Sequence, residues 1–203
     1  SRALPRSYLS GLNFLLNEQP DKAIDAFVEA VRIDPQTVEL HFALGSLFRR
    51  RGETDRAIRI HQLLVDREDL SEDQRLQALS ELGQDFLKAG LLDRAEAAFQ
   101  RLRGTRANDV ALRYLLEIYQ QEKDWAKAIE VAKALPEHEG VMWRTEMANF
   151  HCELAASAMA NSRYDEAQTH LERAFEVNRR SVRASSLLGD LLAIGRSGTG
   201  LGA

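Results

Sequence analysis

Apolar and polar residues do not alternate over any useful length of this chain, so no strand is predicted. The apolar positions fall instead in helical stripes such as Leu187, Leu188, Leu191 and Leu192. Proline occurs only four times, while Ala, Leu, Glu, Arg and Gln dominate, which favours helix along most of the 203 residues. The predicted helices repeat. A first series of mostly small residues runs Gly11, Gly45, Gly83, Leu116, Ala155 and Gly189, with gaps of 34, 38, 33, 39 and 34. A second series lies twelve residues after the first five members, and each of its members is alanine: Ala23, Ala57, Ala95, Ala128 and Ala167.

Bulky residues accompany these anchors. Phe14, Phe48, Phe86, Tyr119 and Leu192 fall three after the first anchor, where Ala158 breaks the run; Phe27, Phe99 and Leu171 fall four after the alanine, where His61 and Ala132 depart. Gly52 and Gly90 mark turns between paired helices, as does Asn17-Glu18-Gln19-Pro20, and Pro35 ends the first repeat. This pattern resembles the tetratricopeptide repeat. It implies an all-α fold, a right-handed superhelical solenoid of antiparallel helix pairs. The expected domain covers residues 1–196, with five full repeats at about 4–37, 38–71, 76–109, 109–142 and 148–181 and the first helix of a sixth at 181–195. Residues 197–203 hold three glycines and are expected to form a flexible tail.

Small residues permit close helix approach, so Gly45 is expected to face Ala57 across one pair. Two gaps are long. Before the third repeat, Ser71 and Gln74 have capping-box spacing, which predicts an extended helix start. Around 136–144 a longer loop is expected, in which Val141, Met142 and Trp143 either begin a helix packing inward or form an exposed contact. The sixth first helix lacks a partner helix, so its leucine stripe is expected partly to pack on repeat five and partly to favour self-association.

The charge balance of 27 basic against 31 acidic residues, net −4, argues against nucleic acid as a partner. One cysteine, Cys152, excludes an internal disulfide. No apolar run is long enough for a membrane span, and the chain reads as the excised portion of a longer protein. Asp21, Asp55, Asp93, Asp124 and Asp165 lie near the starts of second helices, where the macrodipole favours an anion. No phosphate loop, nucleophile elbow or paired-carboxylate constellation is present, so no enzymatic activity and no catalytic residue is expected. Nor is a metal or cofactor site expected within the chain. His151 and Cys152 are adjacent and point apart on a helix, and His41, His61, His138 and His170 lie in different repeats. His61 stands in a core register and is expected to hydrogen-bond across its helix pair.

First helices line the concave face of such a solenoid. Counting from the anchors places Phe42, Ser46, Arg49 and Arg50 there in repeat two, Ser80, Gln84, Leu87 and Lys88 in repeat three, and Arg113, Glu117, Gln120 and Gln121 in repeat four. This mixture suits a peptide or protein segment, with arginine able to pair carboxylates. Of Arg49-Arg50-Arg51, two are expected on the concave side and one at the edge near Gly52. A carboxylate clamp is absent, since its positions begin with Tyr8, Leu12 and Ala43.

More specific stretches are Leu44-Gly45-Ser46-Leu47-Phe48-Arg49-Arg50-Arg51-Gly52-Glu53 and Asp55-Arg56-Ala57-Ile58-Arg59-Ile60-His61-Gln62, supported by Gly90-Leu91-Leu92-Asp93-Arg94-Ala95-Glu96 and Phe150-His151-Cys152-Glu153-Leu154-Ala155. Across most of residues 7–195 the chain resembles the lipopolysaccharide assembly protein B family of Gram-negative bacteria. The resemblance implies a protein with an N-terminal anchor, repeats on the cytoplasmic face of the inner membrane, and a C-terminal rubredoxin-like zinc module. It further implies an adaptor that promotes degradation of the deacetylase LpxC by the membrane protease FtsH. This chain carries neither anchor nor Cys-x-x-Cys pair and matches the middle portion. The alternatives are a general repeat scaffold in another envelope or secretion assembly, and a regulatory domain of a larger enzyme.

Overall fold

The computed structural model describes residues 6–16, 19, 21–23, 25, 26, 29, 38–136 and 140–198. Among them are ten helices and no strand: α1 (Arg6–Leu16), α2 (Val38–Arg50), α3 (Thr54–Val65), α4 (Glu72–Lys88), α5 (Leu92–Gln100), α6 (Asn108–Glu122), α7 (Trp125–Ala134), α8 (Val141–Ala160), α9 (Tyr164–Val177) and α10 (Val182–Gly198). The turn at Asn17, Glu18 and Pro20, Phe27, Pro35 and His138 lie outside the described residues, as does the tail from 199 onward. Helix α10 reaches Gly198, past the end at 195 that the sequence suggested.

The chain divides into two compact units, Ser1–Ala111 and Leu112–Ala203. In the first, α2 packs on α3, α3 on α4 and α4 on α5; in the second, α8 packs on both α7 and α9, and α10 on α8 and α9. The alanine register lies at the centre of this packing. Ala23, Ala57, Ala95, Ala128 and Ala167 are all 0% exposed. Ala57 shares a cluster with Leu44, Phe48 and Ile60, and Cys152 and Ala155 share another with Leu171 and Ala174.

The glycine anchors do different work from that expected. A Cβ on Gly45 would come within 2.4 Å of the His61 ring, and one on Gly83 within 2.8 Å of the Phe99 ring. The glycine therefore makes room for the ring four residues beyond the alanine, not for the alanine itself. Where the anchor is larger, the opposing residue loses the ring: Leu116 corresponds to Ala132, and Ala155 packs in one cluster with Leu171. The position trades volume between two helices. Gly83→Ala is expected to cost about 1–3 kcal/mol through overpacking. Adding Phe99→Leu should recover part of that loss, reproducing the Ala155–Leu171 combination. Purely additive losses in a double-mutant cycle by urea denaturation would refute the pairing.

Four helix pairs share one turn. Glu53 N–H donates to Phe48 O, Leu91 to Phe86, Asp124 to Tyr119 and Arg163 to Ala158, all at 2.8–2.9 Å. These are Schellman closures, and each needs a residue of positive φ. Gly52 (φ +80°) and Gly90 (+75°) supply it, but so do Lys123 (+59°) and Ser162 (+58°), which nothing in the sequence singled out. A side chain there costs roughly 1–2 kcal/mol, partly offset by the chain entropy that glycine loses. Lys123→Gly is thus expected to stabilise the protein by about 0.5–1 kcal/mol, read as a higher thermal midpoint; a lower one would contradict this account.

The two long gaps lengthen helices. Ser71 Oγ accepts from Gln74 N–H and Gln74 Oε1 accepts from Ser71 N–H, the expected capping box, and α4 has 17 residues against 13 in α2. In the second gap the structure has the helix start among the two alternatives: α8 begins at Val141 and runs for 20 residues. Val141 (71% exposed) and Met142 (87%) do not pack inward; only Trp143 does, its indole N–H donating to Ala132 O at 3.3 Å. Of the leucine stripe, Leu187, Leu188 and Leu191 pack on the α8–α9 cluster, while Leu192 remains exposed.

Candidate functional site

The expected face in the first unit is built from α2 and α4, and its centre is a polar network. Arg49, in the last turn of α2, donates through Nη2 to Glu81 Oε2 at 2.7 Å and through Nη1 to Asp85 Oδ1 at 2.8 Å and Glu81 O at 3.2 Å. Ser46, three residues earlier on the same stripe, donates to Glu81 Oε2 at 3.2 Å. Behind the arginine, His61 Nδ1 meets Asp85 Oδ2 at 2.5 Å, and both of these side chains are fully buried. Asp85 accepts from Arg49, so it acts as the carboxylate, and the ring nitrogen facing it carries the proton. His61 Nε2 lies toward Gly45 and has no hydrogen-bond partner among the described residues. Burial opposes the charge on Arg49, but the hydrogen bonds to Glu81 and Asp85 outweigh it and raise its pKa above the ordinary arginine value.

This arrangement differs from the expected face in three ways. Phe42 is a core residue, 4% exposed, packed with Leu64, Leu70 and Ala78. The connection before α4 carries Leu70 over it, and the repeat count alone did not foresee that cover. His61 bonds not across its own pair but to α4 of the next repeat. Arg49 is committed to partners within the chain, whereas Arg50 is exposed and Arg51 pairs with Glu53 at 3.1 Å.

The remaining candidates form no comparable cluster. Ser80, Gln84 and Leu87 are half-buried and Lys88 is exposed. In the second unit, Arg113, Glu117 and Gln121 are exposed, Gln121 donates to Glu117 at 3.4 Å, and Gln120 donates to Glu146 at 3.1 Å. Sequence reasoning missed Glu81 and Asp85 entirely, because they lie between the offsets assigned to the concave face.

It also missed a histidine pair. His151 on α8 and His170 on α9 face each other with ring centroids 5.9 Å apart, and the Nδ1 of each is buried without a hydrogen-bond partner among the described residues. Burial, then the neighbouring His170, Lys133 and Arg173, pushes His151 down to about 4. Burial and Arg173 also lower His170, against the opposing pull of Glu166. Burial raises the Cys152 thiol, consistent with a core residue. Among the described residues no three His, Cys, Asp or Glu side chains are grouped to hold a metal. No described helix is long and apolar enough to cross a membrane.

Helix pairs joined by Schellman turns around buried alanines define a repeat module. The tetratricopeptide repeat family model matches residues 8–69, 80–140 and 152–199, and the chain belongs to that family. It is similar to lipopolysaccharide assembly protein B of Escherichia coli, 46% identical over 189 residues, covering 92% of this chain and 48% of that protein. The protein of the same name from Haemophilus influenzae is 38% identical over 200 residues, covering 94% and 50% respectively. The chain therefore spans about half the length of these curated relatives. A solved structure, the C-terminal part of a tetratricopeptide protein from Cytophaga hutchinsonii, shares the fold with a TM-score of 0.53 at 18% identity, over 90% of this chain and 72% of that one.

Proposed function

We propose that this chain is the protein-binding part of a non-enzymatic adaptor in lipopolysaccharide assembly, and that it promotes degradation of LpxC by FtsH at the cytoplasmic face of the inner membrane. The observation that carries this reading is the 46% identity over 92% of the chain to a protein named for lipopolysaccharide assembly. The architecture supports it, since stacked helix pairs offer a polar face to other proteins. The repeats require no cofactor for such a role.

A chimera tests it. The matching 189 residues of the Escherichia coli protein are replaced by those of this chain in a strain depleted of its own copy. Restored growth with LpxC returned to its ordinary level is expected. Elevated LpxC beside an accumulated, helical chimera would sink the proposal.

A further inference from the structure

An open cavity of about 260 Å³ lies between α4 and the turn that leads into α6. Leu76, Ala107 and Val110 supply its apolar lining, and Val110 is 45% exposed, an uncovered branched side chain. Gln77 and Ser80 add uncharged donors and acceptors. The two carboxylates at its margin are both already paired: Asp73 accepts from Arg106 at 3.1 Å, and Glu81 from Arg49 at 2.7 Å. The hollow thus offers apolar surface and neutral polar groups, and the charged side chains at its margin, Asp73, Arg106 and Glu81, are each matched by an opposite charge within the chain.

Its size decides between ligand types. Small-molecule sites enclose roughly 300–1,000 Å³. This cavity is smaller and open, so it suits one side chain of a longer ligand. Resting on the adaptor reading above, we infer that this hollow is an anchor pocket for an extended partner segment. It takes one large uncharged apolar side chain, while peptide groups beside that side chain hydrogen-bond to Gln77 and Ser80. The recognised segment is therefore defined by an apolar anchor and not by acidic residues.

The probe is an immobilised array of random peptides, screened with the 203-residue protein. Binders should be enriched in Leu, Ile, Met or Phe at one position without enrichment of Asp or Glu. Fluorescence polarisation of the strongest binder should show affinity falling by about tenfold or more in Val110→Glu, because a charge is forced into apolar surroundings. Val110→Lys should give a similar loss, which separates an aversion to charge from a simple change of sign. Leu192→Glu, an exposed substitution in the other unit, should leave binding unchanged. Acidic binders, no binders, or unaltered affinity in helical Val110→Glu and Val110→Lys proteins would overturn the inference. The chimera distinguishes the two levels: normal LpxC control by a chimera bearing Val110→Glu removes the pocket but keeps the adaptor, whereas failure of the unsubstituted chimera removes the adaptor reading.

Discussion

Asp85→Ala is expected to lower the unfolding free energy by about 3 kcal/mol, near the lower end of the range for breaking a buried charge pair. The carboxylate is fully buried and accepts from both Arg49 and His61. Removing it strands the His61 N–H in the interior and leaves the Arg49 guanidinium with Glu81 alone. Glu81 softens the loss, because it still accepts through its carboxylate and its backbone carbonyl. Asp85→Asn keeps the shape and one acceptor but introduces amide protons opposite two donors, so it too should destabilise substantially. Urea denaturation of parent and variants decides the matter. A change under about 1 kcal/mol, the size typical of exposed ion pairs, would mean that the network contributes only what a surface pair does.

The second large effect is a pH dependence centred on His151. Its folded-state value of about 4 lies below the 6.5 of an unperturbed histidine. Above pH 6.5 the ring is neutral in both states and contributes nothing to the pH dependence. As pH falls through 6.5 the unfolded chain takes up a proton that the folded chain refuses, and stability declines until about pH 4. The loss over that window is about 3 kcal/mol for this ring. His170, also lowered, adds in the same direction. His151→Leu should lack this component, so the gap between variant and parent should widen in the variant's favour as the solution is acidified. A constant difference between pH 7 and pH 4.5 would show that the ring titrates normally. The cause is burial, then another imidazole and the cations Lys133 and Arg173.

Both effects come from side chains that sequence reasoning either misplaced or passed over. His61 was recognised as a departure from the repeat, yet its partner was expected across the helix pair. The sequence weighs His151 only against its neighbour Cys152, and His170 only against histidines of other repeats, so the two are never set against each other. Contacts between helices depend on how far along each helix a residue sits and which way its stripe faces, and only the packed pair supplies that. The same reasoning explains Phe42: its offset from Gly45 placed it on an open face, and the unpredicted path of Leu70 buried it.

What the sequence determined by itself is the periodic part of this protein. The alanine series named five buried positions without error, because only a side chain of that size satisfies a close helix crossing in every repeat. The capping box at Ser71 and Gln74 was equally legible, since a cap depends on residues three apart in the chain. The tertiary structure decided whatever requires two helices to be seen together. It paired Gly45 with a histidine ring and Gly83 with a phenylalanine ring, forced Lys123 and Ser162 into glycine's conformation, and turned an arginine assigned to a partner into an internal tie. Local periodicity specifies which residues must be small or apolar. Volume, charge and hydrogen bonding are balanced between neighbouring helices, so the chain order of any one helix does not contain the result.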